Sequence, residues 1–320
     1  AAATAEVRAD EARLADARRL LDRGVSETFR SVLLAKERIE VARRDAAFNA
    51  KLEEEAKRRR AAGAAGREHV LNFQLRTTQA RTQVIQAEEQ KAAARVALAQ
   101  LLGRIPAELP DRVELVFADS AFYADGVPDV EAETRHALAE RPDLHALRET
   151  LNAAKQGVRQ AKSGRKPTIS LTAGADWSAT ENSGPSDGSD DNAYVSLQAT
   201  WQAVDGCETA ATTEAAIAGV EQARQQLASA QLAVDAEVRQ RHRRLVTAEA
   251  EFELARETLE LTKAIRKIVL DRYRAGKSTI TRVNEAQTDL TRAESGLATA
   301  RIRLYLARRD LATAAARTKP

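Results

Sequence analysis

The sequence predicts a mainly α-helical protein with a small β part: long antiparallel helical hairpins in a duplicated repeat, with one β-hairpin between them. Three observations predict it. Small and apolar residues recur at helical spacing over stretches much longer than an ordinary globular helix. The chain resembles itself without gaps when slid by 213 positions. Only two stretches alternate with period two, Thr168–Trp177 and Tyr194–Val204.

Residues 1–62 read as one helix, with Leu14, Ala17, Leu21, Val25, Val32, Ala35, Ile39 and Ala42 at helical spacing. At 1.5 Å per residue it would reach about 90 Å. The run Ala61-Ala-Gly-Ala-Ala-Gly66 breaks it, and a second helix follows from about Glu68 to Leu102, ending at Gly103. Two long helices joined by a small-residue turn make a helical hairpin. The pattern returns at 207–274, with a turn at Ala275-Gly-Lys-Ser278 and a return helix over 279–316.

The repeat keeps one register throughout. Val7 falls on Val220, Leu14-Ala15 on Leu227-Ala228, Asp22 on Asp235 and Arg30 on Arg243. The turn glycines coincide, Gly63 on Gly276, followed by Val70 on Val283, Gln74 on Gln287 and Leu98 on Leu311. Roughly 27 of 105 aligned positions are identical, against about 10 expected from so Ala-rich a composition. Shared composition accounts for matching alanines but not for coincident turn glycines. Residue 1 aligns with residue 214, just past the second alternating stretch, so the register predicts a further hairpin upstream of Ala1.

The middle, 103–166, is not repeated. Pro106, Pro110 and Pro128 punctuate it, and a helix opens at Arg141-Pro-Asp-Leu144 and runs to about Lys162, with Asp143 favouring the helix N-terminus electrostatically. Pro167 closes that helix. In the first strand Ile169, Leu171, Ala173, Ala175 and Trp177 share a face opposite Ser170, Thr172, Gly174 and Asp176. In the second, Val195, Leu197, Ala199 and Trp201 oppose Ser196, Gln198, Thr200 and Gln202. A polar, turn-rich loop over 180–192 joins them, carrying Asp187, Asp190 and Asp191. About ten residues per strand suit a tilted pass through a bilayer core. Trp177, Tyr194 and Trp201 are the candidates for interfacial aromatic girdles. Taken alone, these residues also fit an ordinary surface hairpin.

Aromatics are 4% of the chain, too few for a thick globular core, and charged residues are 30%. Ala, Arg, Glu, Leu and Gln dominate, as in coiled coils. The net charge of +3 is spread along the helices, a solvated face and not a nucleic-acid patch. The single cysteine, Cys207, excludes a disulfide within the chain. No run of 18 apolar residues exists, so no transmembrane helix is predicted. With no methionine, the chain is expected to begin after a processed or trimmed N-terminus. Nothing looks catalytic: His69, His136, His145 and His242 are scattered without a metal-binding spacing, so no metal or cofactor is expected. No phosphate-cradling glycine loop is present, so any energy for transport must come from a partner.

These residues together resemble the TolC-type outer-membrane channel proteins of drug efflux and type I secretion. The resemblance covers nearly the whole chain. It rests on Leu101-Leu-Gly103 closing a helix, Arg141-Pro-Asp-Leu144 opening the next, Pro167 before an alternating strand and the step Val204-Asp-Gly206. It rests also on the two tips, Gly63…Val70…Gln74 and Arg272-Tyr-Arg-Ala-Gly276…Val283…Gln287. Each motif is weak alone; their order, spacing and duplication are specific.

The resemblance implies a homotrimer in the outer membrane of a Gram-negative bacterium, extending into the periplasm. Each protomer would give four strands to a shared barrel, and its helices would wall an α-barrel tunnel. On that reading 1–105 is the first-repeat hairpin, 106–140 a non-repeated equatorial segment and 141–166 a helix. Residues 167–204 are then a transmembrane β-hairpin with an extracellular loop over 180–192, and 205–320 the second-repeat hairpin. The chain departs from the family in supplying one β-hairpin; three copies give six strands, fewer than the eight of the smallest single-chain barrels. A stretch of roughly 100 residues ahead of Ala1 would complete it. Cys207 replaces a small residue and is expected to be a packing substitution.

The implied function is a passive exit duct working with an inner-membrane transporter and a periplasmic adaptor, in contact with outer-membrane lipid. Family carboxylates that constrict the entrance lie six and nine residues past the second turn glycine, where this chain has Arg282 and Glu285; the first-repeat equivalents are His69 and Asn72. Rings of like side chains set pore selectivity. The adaptor is expected at the tips, Gly63, Ala64 and Gly66 with Gly276, Lys277 and Ser278. The alternatives are a periplasmic coiled-coil adaptor and a soluble scaffold. An adaptor would flank one hairpin with Gly- and Val-rich β segments, whereas this chain has two hairpins and one strand pair. A scaffold leaves the strands without purpose.

Overall fold

The computed structural model describes residues 2–63, 66–110, 126–180 and 188–317. The elements run α1 (Ala2–Ala61), α2 (Arg67–Leu101), α3 (Val130–Glu140), α4 (Pro142–Ser163), β1 (Thr168–Thr180), β2 (Gly188–Thr200), α5 (Glu208–Arg274) and α6 (Ile280–Ala314). The fold is mainly α with one small antiparallel sheet, as the sequence predicts.

The duplication is visible atom by atom at the helix ends. Adding 213 to both bounds of α2 gives both bounds of α6, and adding it to the last residue of α1 gives the last of α5. Gly63 and Gly276 take left-handed φ of 73° and 74° after their helices, a conformation that costs glycine nothing. The ends of α2 and α6 close with the same pair of bonds. Gly103 N donates to Gln100 O at 3.0 Å and Arg104 N to Ala99 O at 3.0 Å; Ala316 N donates to Thr313 O at 3.1 Å and Arg317 N to Ala312 O at 2.8 Å. The left-handed residue is Gly103 (φ 66°) in one and Ala316 (φ 56°) in the other, so the second repeat adopts the turn despite a Cβ.

The chain divides into two compact units. One comprises the N-terminal end of α1 through Ala12 with Asp143–Ala230, and holds the β-hairpin. The register pairs Ile169 with Ala199, Leu171 with Leu197 and Ala173 with Val195, and on the other face Ser170 with Gln198 and Thr172 with Ser196. Apolar residues therefore meet apolar ones across strands. Both strands run further toward the hairpin tip than their apolar alternation, to Thr180 and from Gly188, so the connection is shorter than the expected 180–192 loop. Strand β2 also stops at Thr200, leaving Trp201–Val204 outside it. The cause is Pro167: β1 begins at Thr168, opposite Thr200, and proline has no N–H to extend the ladder. Past the strands, Gly206 and Cys207 both have positive φ, and Asp205 caps α5 by accepting from Cys207 N at 3.1 Å and Thr209 N at 3.0 Å. The side chain and backbone of Thr209 hold the Asp205 carboxyl below the usual carboxylate range. Cys207 is exposed, which corrects the expectation of a packing substitution: it fills no gap and sits on a strained backbone.

The other unit comprises Arg13–Pro142 and the chain from Gln231 onward. Ion pairs order its long helices. Arg43–Glu88 (2.8 Å) joins α1 to α2; Arg44–Glu294 (3.1 Å), Arg301–Glu37 (3.0 Å) and Arg23–Asp310 (2.9 Å) join α1 to α6; Arg308–Glu249 (2.7 Å) and Arg241–Asp310 (2.9 Å) join α6 to α5. Away from the tips these pairs follow the order α2–α1–α6–α5. Helix α3, not foreseen as a separate element, starts at Asp129, whose side chain accepts from Ala132 N, and ends before Pro142, which keeps Arg141 extended. It is tied to the helix ends by Arg317–Glu133 (2.7 Å) and by His136 Nδ1 donating to Ala315 O (2.7 Å).

Candidate functional site

Two surfaces carry the candidate residues: the hairpin tips and the strand face. At the tips α1, α2, α5 and α6 converge on one apolar cluster of Leu52, Ala56, Val70, Phe73, Tyr273 and Val283. Phe73 is wholly buried and meets Tyr273 edge to face at 6.3 Å between ring centroids, an arrangement the ring quadrupoles favour. The Tyr273 hydroxyl lies 3.3 Å from His69 Nδ1, and the Arg59 guanidinium sits 5.4 Å from the Tyr273 ring centroid. Burial pushes the Tyr273 hydroxyl pKa up, with Glu55 reinforcing and Arg59 opposing, so the group stays a neutral phenol at physiological pH.

Beginning beside this cluster and reaching up to two turns along α1 and α6 lies a polar cross-link between hairpins. Asp45 Oδ1 accepts from Gln287 Nε2 at 2.7 Å and from Thr291 Oγ1 at 3.0 Å, and Asn284 Nδ2 donates to Asn72 Oδ1 at 2.7 Å. On the α1–α2 side, Lys57 Nζ reaches Glu53 Oε1 at 2.7 Å, and that bond with the nearby charges of Lys57 and Arg81 holds its carboxyl below the usual range against the opposing pull of desolvation.

The four constriction candidates separate into two pairs. Arg282 and Glu285 stand together on an exposed face of α6, joined at 3.0 Å. His69 and Asn72 are half-buried and engaged by the other hairpin through Tyr273 and Asn284, so they serve the join between hairpins and not a free rim. Among the tip residues, Gly63, Gly66, Gly276 and Lys277 are exposed and Ser278 is half-buried, while Ala64 lies outside the described residues. Gly66 and Thr279 are repeat equivalents and N-caps of α2 and α6; only Thr279 has a side chain to accept, from Arg282 N. The tip cluster and the Asp45 link were missed from sequence. Their one signal was the repeat identity of Val70 with Val283 and Gln74 with Gln287.

On the hairpin, Ile169, Leu171, Val195 and Leu197 form an exposed apolar face, with Leu171 72% and Leu197 74% exposed. Trp177 and Trp201 are exposed at opposite ends of it. Trp201 stands just past β2, where its Nε1 donates to Arg165 O at 3.3 Å. Tyr194 leaves the girdle set: it pairs with Gly174 on the polar face, and a Cβ at 174 would come within 2.7 Å of its ring. Side-chain parity, which alternates strictly along a strand, decides this. Asp187 lies outside the described residues.

Among the described residues no helix is long and apolar enough to cross a membrane, and no cluster of three or more His, Cys, Asp or Glu could hold a metal. The profile of outer membrane efflux proteins matches residues 134–317, more than half of the chain. The chain belongs to the outer membrane efflux protein family. A curated relative, Protein CyaE of Bordetella pertussis, is 29% identical over 257 residues, 80% of this chain and 52% of that protein. The chain thus spans about half the length of that relative. Among solved structures, the outer-membrane channel OprN aligns with TM-score 0.80 at 22% identity over 98% of this chain and 70% of its own. The outer membrane protein VceC of Vibrio cholerae aligns with TM-score 0.77 at 19% identity, over 98% and 74%. The MtrE channel of Neisseria gonorrhoeae, in its open state, aligns with TM-score 0.79 at 19% identity, over 98% and 70%. At these identities the structures establish the fold. Family and fold are those of efflux channels and not of enzymes.

Proposed function

We propose that this efflux family member forms part of a passive exit duct across the outer membrane. Copies of the chain assemble as a homotrimer whose helices wall a periplasmic tunnel, and substrate enters from an inner-membrane transporter through a periplasmic adaptor. The single observation that carries the reading is the hairpin: an apolar face matched strand to strand, largely exposed, with a tryptophan at either end and a polar face behind it. Such a face is stable only against lipid or another apolar surface. A soluble scaffold or an adaptor leaves it uncovered. The exposed small residues at Gly63 and Gly276 offer the adaptor close helix approach, and the Arg282–Glu285 pair supplies charge at the entrance.

The test is ion conductance of the protein in planar bilayers. The duct reading expects discrete channels, and Glu285→Ala, which leaves the Arg282 charge unpaired, expects a shift of selectivity toward anions. Unchanged current and selectivity would remove Glu285 from the constriction; absence of any conductance from protein that also carries the sequence upstream of Ala1 would overturn the duct.

A further inference from the structure

A groove of about 520 Å³ runs between α5 and α6, and arginines crowd its walls. Arg241, Arg243 and Arg244 come from α5 and Arg303 from α6, against two acids, Glu251 and Asp310. Ala248, Leu306 and Ala307, buried or half-buried, line it between the arginines. The acids do not use up the positive charge. Asp310 is divided between Arg23 and Arg241, each at 2.9 Å. Glu251 reaches Arg303 only at 3.7 Å with both side chains exposed, a pair that water and salt weaken. Arg243 and Arg244 are exposed and meet no acidic side chain among the described residues.

The repeat shows that a helix pair of this kind does not need the charge. Subtracting 213 puts Thr28, Ser31 and Gln90 where the second repeat has Arg241, Arg244 and Arg303. Thr28 and Ser31 bond to the backbone of α1 itself, and Gln90 accepts from Arg38 at 3.4 Å. Arg30, the equivalent of Arg243, is buried, with its guanidinium 3.1 Å from the Tyr305 ring centroid. The arginines of the groove are therefore particular to the second repeat. They also continue a face already described. Steps of three and four residues lead along α6 from Arg282 through Glu285, Asp289, Arg292, Gly296 and Thr299 to Arg303, and all but Thr299 are exposed. Such steps keep to one side of a helix. Arg282 and Arg303 stand about 32 Å apart along it. The charges nearer the tip balance in pairs, Arg282–Glu285 at 3.0 Å and Arg292–Asp289 at 3.1 Å. Net positive charge on this face first appears at the groove.

We propose that Arg243, Arg244 and Arg303 make a binding site for anionic cargo, organic carboxylates or phosphates, travelling along this face of α6. The proposal rests on the reading of the chain as part of an exit duct and names the charge of what passes. Guanidinium groups present paired donors to carboxylate and phosphate oxygens. They stay charged at physiological pH, and their excess over the acids raises the local concentration of anions. Because the arginines are exposed, an anion is drawn in yet held weakly enough to leave, as conduction requires.

The test titrates citrate into the detergent-solubilised protein at low ionic strength and reads the heat. Citrate is expected to bind, and spermidine, of opposite charge, is not. Arg244→Gln with Arg303→Gln, both at exposed positions, is expected to weaken citrate binding about tenfold, and either change alone by less, with the helical circular dichroism unchanged. Arg292→Gln, which removes an exposed arginine of the same face outside the groove, is expected to leave citrate affinity where it was. No citrate heat in the wild type, spermidine binding as tight, equal affinity in the double variant, or an equal loss in Arg292→Gln would each overturn the site. Conductance of protein that also carries the sequence upstream of Ala1 judges the duct separately. Channels without arginine-dependent citrate binding overturn the site and keep the duct. Arginine-dependent binding without channels overturns the duct, and with it the role of the site in export.

Discussion

The first and second repeats carry the same helical stripe in opposite circumstances. On α1 Val41 and Leu52 are buried, and on α5 Leu254 and Ile265 are exposed. The sequences of the two stripes differ little in character: Val41, Phe48 and Leu52 in one, Leu254, Leu261 and Ile265 in the other. Burial is therefore a property of the neighbour and not of the stripe, and the bare copy marks where the described residues supply none. The comparison separates two contributions that a single hairpin would confound, the stability of the folded chain and the stability of its assembly.

The comparison breaks most plainly by truncating equivalent positions. Leu52→Ala opens a cavity in the tip cluster and is expected to lower chain stability by about 2–5 kcal/mol. Ile265→Ala, at the equivalent place, is expected to change it by no more than about 0.5 kcal/mol while weakening assembly. Chemical denaturation followed by circular dichroism, beside glutaraldehyde cross-linking, reads both. Equal stability losses would show that the α5 stripe is already covered within the chain.

A smaller effect tests the two helix ends that share one turn. Gly103→Ala places a Cβ in the left-handed region and is expected to destabilise by about 1 kcal/mol, whereas Ala316→Gly relieves the same strain and is expected to stabilise by about 1 kcal/mol. Opposite shifts in melting temperature check this; shifts of one sign would mean that the ends are not equivalent.

The smallest effect is in pH. The Glu53 carboxyl is held below its ordinary pKa in the folded chain, so its contribution is present above the ordinary glutamate range, about pH 4.3, and is lost as pH falls through the folded value. Between about pH 5 and 3 the wild type should lose more thermal stability than Glu53→Gln. Parallel melting profiles would remove Glu53 from the account of the α1–α2 contact.

The long helices and their register were legible because glycine and helical periodicity act locally: sliding the sequence by 213 positions returned helix ends that coincide in space. The extent of the strands was less legible. Polar residues from Ser189 to Asn192 read as loop, yet pairing with β1 carries them into β2. The end of β2 at Thr200 follows from Pro167 across the ladder, a partner that β2's own pattern does not contain. Tyr194 was legible in principle, since its even number places it with Ser196 and Gln198; reading it as a girdle residue weighed its chemistry above its parity. His69, Asn72 and Asp45 were illegible because their roles depend on Tyr273, Asn284 and Gln287, more than 200 positions away. Cys207 was misread because nothing in its neighbours announces a left-handed backbone after Gly206.

The central claim is that the hairpin crosses a bilayer, and its two tryptophans allow a direct measurement. The protein is reconstituted in lipids brominated at defined depths, with Trp177→Phe and Trp201→Phe used to assign each signal. Quenching of both Trp177 and Trp201 that is strongest with bromines near the headgroups, and weaker with bromines at the bilayer centre, is the predicted result. Indifference to brominated lipid at every depth, with both tryptophans quenched by acrylamide from water, would contradict it.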